Sequence, residues 1–352
     1  MNDYKTYPVL QALLAALLFG ASAPLAKLLL KDIAPVMMAG FLYLGSGIGL
    51  VIFQYLLNHT KLKIKQEAKL EKKDLGWLLG AVIFGGILAP ILLMISLKVT
   101  PASTSSLLLN FEGVATTVIA IILFKESISP KIGLAILLIT VASILLTWDF
   151  GNHWGLTIGA LGILGACACW GLDNNFTRNI SLKNPFTIVI IKGLVAGSFS
   201  FLVSLLLRNQ IPTLSIILLA LLLGFICYGL SIVLFVFAMR SMGSARTSAY
   251  FASAPFIGTI LSFVVLHEIP GVMFFVSVPL MILGTFFLFK EEHDHTHVHL
   301  ELEHTHKHHH KDIHHQHDHS DLEIGDLVHS HPHKHQKMEH SHPHLPDIHH
   351  RH

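Results

Sequence analysis

Charge is what this chain has least of. Only 13% of its 352 residues are Asp, Glu, Lys or Arg, where a soluble globular domain carries roughly 25%. That shortage excludes a soluble fold with a solvated surface. With 52% hydrophobic residues and a mean hydropathy of +0.61, the composition is that of an integral membrane protein. Cysteine is scarcer still. Cys167, Cys169 and Cys227 all sit in apolar runs; they frame no disulfide scaffold and read as small buried hydrophobes. No phosphate-cradling loop, nucleophile elbow or catalytic His/Cys set is present, so no enzymatic activity is expected. Nor is a nucleic-acid partner, and no cofactor is required.

What is there is a series of apolar runs. A membrane-crossing helix needs about 20 such residues. Ten runs qualify, at residues 9–30, 35–57, 75–97, 101–124, 131–147, 155–176, 185–207, 214–239, 243–266 and 271–289. Lipid offers no partners to backbone groups, so the runs must be helices; they lack the two-residue alternation of a membrane barrel. Residues 21–23 ("ASA") could pass for a signal-peptide cleavage site, but the run continues through Pro24 to Leu30 and has a counterpart later in the chain. With the N-terminus cytoplasmic, the inner loops receive fourteen Lys and Arg and the outer loops four. The positive-inside bias therefore puts both termini in the cytoplasm of a multi-pass inner-membrane (plasma-membrane) protein.

The chain also repeats itself. "PASTSSLLLNFEGVATTVIAIILFKE" from Pro101 lies over "GSARTSAYFASAPFIGTILSFVVLHE" from Gly243 at an offset of 142, and "FGASAPLAK" from Phe19 lies over "WGLDNNFTR" from Trp170 at 151. Each half holds five runs, and an odd number makes the second copy insert upside down. Inverted repeats with the substrate site at their interface are an architecture of secondary transporters. The expected fold is thus an all-α integral membrane protein of ten transmembrane helices. It divides into a first five-helix repeat (1–150), a second (151–290) and a disordered His-rich tail (291–352).

These features together resemble the EamA family of the drug/metabolite transporter superfamily. The resemblance rests on the doubled five-helix unit, the "FG…K" and "WG…R" entry helices and the glutamates closing the fourth and ninth helices, Glu126 ("LFKE") and Glu268 ("LHE"). It covers residues 9–289 and implies export of small organic solutes, often driven by a proton or other gradient. It does not fix the substrate, and the tail lies outside the shared pattern.

Within the runs, Glu112 stands in the middle of the fourth, beside Asn110 and Gly113. A carboxylate at bilayer depth marks an ion or substrate pathway, unless it is a protonated brace to a neighbouring helix. Its repeat counterpart is Ala254, so the fold itself does not demand a carboxylate there. Asp173, Asn174 and Asn175 form a polar triplet in the sixth run, read as cavity-lining, or else as the early end of that span. Lys192 in the seventh run is a further candidate for substrate contact, although a lysine near a helix end usually snorkels to the headgroups. Glu112, Asp173, Asn174, Asn110 and Lys192 are the substrate or coupling candidates. Lys27, Lys98, Arg178 and Arg240 read as helix-end anchors, and Glu126 and Glu268 as loop caps or, more sharply, gates. Pro24, Gly85, Gly86, Pro90, Pro255 and Pro279 fall where helices would need to bend.

The tail carries 23 of the 26 histidines. Imidazole with some carboxylate suits zinc, nickel, cobalt and copper(II); without cysteine or clustered methionine, copper(I) is disfavoured. The candidate ligands are His293, His295, His297, His299, His304, His306, His308, His309, His310, His314, His315, His317 and His319, and a second block spans 329–352. "HDHTHVH" puts a histidine at every second position, on one side of an extended chain. A segment so poor in apolar residues should be disordered without a ligand. Protonation near pH 6.5, with attraction to anionic lipid, offers a pH-sensing alternative, and an extension with no role in transport is the plainest one.

The leading expectation is an exporter of a small organic solute working by alternating access, with a metal-binding regulatory tail. The alternatives are a divalent transition-metal (Zn, Ni or Co) exporter whose tail collects the ion, and a membrane-anchored metal buffer. Expected partners are the solute, the lipid bilayer and divalent metal ions; a homodimer is left open.

Overall fold

The structure, a computed structural model, describes residues 3–58, 68–124, 130–149, 155–180, 183–242, 247 and 250–289. In the tail it describes the backbone of residues 293–299, 302–309, 328–335 and 338–344. The helical part opens with α1 (Asp3–Gly20), α2 (Ser22–Leu29) and α3 (Pro35–Asn58). There follow α4 (Leu75–Ala81), α5 (Ala89–Val99), α6 (Ala102–Leu108), α7 (Phe111–Phe124) and α8 (Pro130–Thr147). A short antiparallel pair, β1 (Trp148–Asp149) and β2 (Gly155–Leu156), joins the halves. The second half holds α9 (Ile158–Arg178), α10 (Pro185–Leu206), α11 (Leu214–Leu223), α12 (Ser231–Met242), α13 (Ala254–Leu266) and α14 (Val272–Phe289).

Seven segments among the described residues are helical, long and apolar enough to cross a membrane: Tyr7–Leu29, Pro35–Leu57, Lys72–Val99, Ala102–Leu123, Pro130–Thr147, Pro185–Leu206 and Leu214–Ala238. Ala254–Leu266 and Val272–Leu288 are apolar but shorter. Helix α9 has the length, yet it carries Asp173, Asn174, Asn175 and Arg178 in its last two turns. The chain is therefore a multi-pass membrane protein. Its outward faces are greasy: Leu206 is 82% exposed and Ile122 70%. Apolar exposure on that scale suits lipid rather than water.

Helix breaks recur through the chain. α4 and α5 are one rod interrupted by a π-helical turn, Val82–Leu88, and α11 and α12 are joined in the same way by Gly224–Leu230. The two turns lie 142 positions apart, as do α8 and α14 end to end. The first turn has a chemical cause. In a π turn each carbonyl accepts from the residue five ahead, and Phe84 does so from the N–H of Ala89. The carbonyl of Gly85 would need the N–H of residue 90, which is a proline and has none.

Close approaches of backbone position the core. α10 lies along α3. A Cβ on Gly197 would stand 2.5 Å from the backbone nitrogen of Leu44, and one on Gly193 2.7 Å from that of Gly47. Gly193 and Gly197 are the small-xxx-small spacing that lets membrane helices touch. Around this contact the main buried cluster gathers Met37, Met38 and Leu42 of α3, Leu93 and Met94 of α5, and Ile163 and Trp170 of α9.

Where the composition predicts a disordered tail, its described residues run as paired strands. β3 (His293–His299) pairs antiparallel with β6 (Met338–His344), and β4 (Leu302–His309) with β5 (Val328–His335). The register sets His293 opposite His344, His295 opposite His342 and His297 opposite His340. In the second ribbon His304 faces His333, His306 faces His331 and His308 faces His329.

Candidate functional site in the helical core

Glu112 lies in the first turn of α7, where the rod begun by α6 has broken and restarted. Asn110 sits in that break. Its amide donates to the Leu107 carbonyl at 2.9 Å and its carbonyl oxygen accepts from Thr285 at 3.2 Å. It therefore ties the break to α14 rather than joining Glu112. The partner of Glu112 comes from α9: Asn174 Nδ2 donates to Glu112 Oε1 at 2.8 Å and to Thr116 Oγ1 at 3.1 Å. Glu112 is half-buried and Asn174 is exposed. Its neighbours on α9 point inward. Asn175 is buried and donates to the carbonyls of Gly171 at 2.8 Å and Thr116 at 3.0 Å, which pins α9 to α7.

Asp173, 5% exposed, faces α10. It forms an ion pair with Lys192, whose side chain is 12% exposed, and its other oxygen accepts from Thr177 at 3.0 Å. Lys192 thus does not snorkel to headgroups. A buried carboxylate one helix away satisfies it more cheaply than the stretch to the interface would, because an unpaired charge in an apolar bundle is strongly disfavoured. The sequence candidates fall into two pairs at adjacent positions of α9, Glu112 with Asn174 toward α7 and Asp173 with Lys192 toward α10, and Asn110 stands apart.

Three groups that sequence reading misses complete the site. The Gly85 carbonyl, left without a backbone donor by Pro90, accepts from Tyr43 Oη at 2.5 Å and from Trp170 Nε1 at 3.2 Å. Gly85 must be glycine here, because a Cβ would stand 1.9 Å from Asp173 Oδ2. The "GG" at residues 85–86 followed by Pro90 is the signal for the bend, but nothing in the sequence says which side chains fill it. Phe19, the repeat counterpart of Trp170, packs edge-on against Trp170 and against Tyr228, with ring centroids 6.3 and 5.9 Å apart. Tyr228 is itself buried beside them.

Both ends of this assembly are fastened. Glu268, just past α13, accepts from the backbone N–H of Ala102 at 2.6 Å and from the N–H and Oγ of Ser103 at 2.8 and 2.6 Å. It caps the first turn of α6, satisfying otherwise orphaned donors, so the expected cap role holds for Glu268; Glu126 lies outside the described residues. Lys27, expected as a lipid anchor, donates instead to the last carbonyls of α5 and its exit loop, at Leu97, Lys98 and Thr100. At another point Lys183 meets Glu71 at 2.6 Å and Asp74 at 3.4 Å, and the Asn184 N–H donates to the Ala68 carbonyl at 3.0 Å. The hydrogen bond from Lys183, helped by Lys73, holds the Glu71 carboxyl below the usual glutamate range.

Among the residues whose side chains are described, no group of three His, Cys, Asp or Glu could hold a metal ion. In the tail, His293, His295, His297, His299, His304, His306, His308 and His309 fall on described strands. His310, His314, His315, His317 and His319 lie outside the described residues. The second-block histidines on β5 and β6, except His335, which faces Leu302, sit directly across from first-block ones; their own alternation in "HSHPHKH" and "HSHPH" is the signal that could have found them.

A bundle of broken membrane helices with ionisable side chains paired inside it is an architecture of membrane transporters. The EamA-like transporter family model matches residues 6–148 and again 157–290, and the chain belongs to that family. An uncharacterized transporter of Methanothermobacter thermautotrophicus is 26% identical over 289 residues, spanning 78% of this chain and 84% of the relative. One protein of known crystal structure matches at a TM-score of 0.57 with 17% identity, over 80% of this chain and 94% of its own; that likeness concerns the fold alone.

Proposed function

We propose that the protein is a secondary active transporter that exports a small organic solute across the inner membrane by alternating access between two inverted five-helix repeats. The observation that carries this reading is the polar contact between the halves. Glu112 belongs to the first family match and its partner Asn174 to the second, next to the buried Asp173–Lys192 pair of the second match. A site at a repeat interface opens or closes when the halves rock against each other. Glu112 and the exposed Asn174 contact the solute or the coupling ion. Asp173 and Lys192 hold the floor of the site together. The inverted relation is supported by Glu268: the end of α13, the repeat counterpart of α7, meets the start of α6, which leads into α7, so the counterpart rods lie end to start. With both termini in the cytoplasm, the His-rich tail binds divalent metal there and regulates the carrier.

The tail itself favours a second reading, in which zinc, nickel or cobalt is the cargo and the histidines collect it. The test compares cells lacking the protein, cells with the full chain and cells with a chain truncated after Lys290, under graded zinc, nickel and cobalt. Cell metal and growth are measured together. Equal metal content in all three is expected for an organic solute. Lower metal with the full chain, weakened by truncation and abolished by Glu112→Gln, would replace the first reading with the second. Protection by the detached tail alone would make the protein a membrane-anchored metal buffer.

A further inference from the structure

The tail's two histidine blocks are not two independent sponges. In each ribbon one strand comes from the first block and one from the second: β3 with β6, and β4 with β5 nested inside. The register pairs histidine with histidine three times in each ribbon, always at every second position and so on one face. The opposite parity carries Asp294, Thr296 and Val298 against Pro343, Ser341 and Glu339. The prolines agree with this register. A proline has no N–H and fits a paired strand only where its nitrogen points away from the partner. Pro332 and Pro343 both fall on the non-histidine parity, opposite Thr305 and Asp294. A slip of one residue would break all three histidine pairs of a ribbon at once; the β3–β6 ribbon would keep none, and the β4–β5 ribbon could regain at most one, His309 with His329.

We propose that divalent transition-metal ions bridge the two blocks, held by cross-strand histidine pairs, and so staple the tail into its nested double ribbon. The proposal rests on the reading that the tail binds metal, and adds where and with what consequence. Directly opposed residues have Cβ atoms about 4.5–5.5 Å apart, a spacing from which two imidazoles can reach one ion at about 2.0–2.1 Å each. The next pair lies two residues on, about 7 Å along the ribbon. It supplies the remaining two positions of a tetrahedral ion, or water does. His293 and His344 are 51 positions apart (344 − 293). Joining them costs loop-closure entropy that binding of the ion offsets. Metal load is thereby converted into a shape change of the tail, which begins four residues after α14 ends at Phe289.

The experiment uses the full-length chain in lipid nanodiscs with Zn²⁺ as the probe and Cys167, Cys169 and Cys227 replaced by alanine. Spin labels are placed at Thr296→Cys and Ser341→Cys, which oppose each other on the histidine-free face. Zinc is expected to bring strong dipolar broadening that a chelator reverses. In parallel, zinc titrations compare two double-mutant cycles. His297→Asn with His340→Asn, an opposed pair, should lose no more zinc than either single change. His297→Asn with His331→Asn, from different ribbons, should lose the sum. Zinc binding at full stoichiometry with additive losses in both cycles and no broadening would overturn the bridging proposal and leave metal binding standing. No more zinc bound than by a chain truncated after Lys290 would overturn both.

Discussion

Asp173 and Lys192 illustrate what one ion pair does inside an apolar bundle. Each neutralises a charge that lipid and packed helices would not tolerate alone. Asp173→Asn is expected to strip the compensation from Lys192 and cost about 3–5 kcal/mol of stability, the usual result of breaking a buried pair from one side. Asp173→Asn with Lys192→Met should recover much of that loss, because the charge and its partner leave together. Thermal unfolding in lipid reads both; a double variant no more stable than the single would remove Lys192 from the account. Glu112 behaves differently, since its partner Asn174 is neutral and accessible. Glu112→Gln should therefore keep the protein folded and abundant while transport in reconstituted vesicles falls at least tenfold. Unchanged transport would remove Glu112 from the site.

At the scale of the element, the π turn at Val82–Leu88 turns a missing N–H into an anchor for two distant side chains. Pro90 orphans the Gly85 carbonyl, and Tyr43 and Trp170 converge on it. Each of Tyr43→Phe and Trp170→Phe removes one donor and should cost about 1 kcal/mol, an ordinary net hydrogen bond. Together they should cost more than the sum, because the buried carbonyl then has no partner. In a Pro90→Ala background a backbone N–H returns, and Tyr43→Phe should cost less. A double-mutant cycle on unfolding free energies checks this; an additive result would mean that water or another group serves the carbonyl. Glycines, proline and apolar runs announce that this helix bends, but the sequence does not name the donors. Tyr43 is 42 residues away from Gly85 and Trp170 is 85 away, separations across which no local pattern runs.

Across the whole molecule, polar clamps tie loops together between apolar helices. Lys183, from the second half, reaches Glu71 and Asp74 in the first. The Glu71 carboxyl is held below the ordinary glutamate range, chiefly by that hydrogen bond, and this fixes the sign of its pH dependence. A depressed carboxyl adds stability above its unfolded pKa and loses it as pH falls through the folded value. The gap in melting temperature between the native chain and Glu71→Gln should therefore persist at neutral pH and close on acidification below about pH 4.3, the ordinary glutamate value. A gap that does not vary with pH would assign the effect of the substitution to packing. Glu268 makes the corresponding tie at the start of α6, and Glu268→Gln, which leaves Ala102 and Ser103 without an anionic acceptor, should loosen that helix start.

The sequence by itself determined the membrane class, the family and the doubled unit, because hydrophobic runs, charge bias and self-similarity are properties of composition and order. It also nominated Glu112, Asp173, Asn174 and Lys192, since polar groups in apolar runs stand out wherever they fold. Only the tertiary structure decided that these four form two adjacent pairs while Asn110 turns away to Thr285, that Lys192 pairs rather than snorkels, and that the histidine blocks face each other. Those outcomes depend on which helix or strand lies beside which. Adjacency is set by backbone close approaches, such as those of Gly193 and Gly197 in α10 to α3, and by strand register, both of which join residues far apart in the chain.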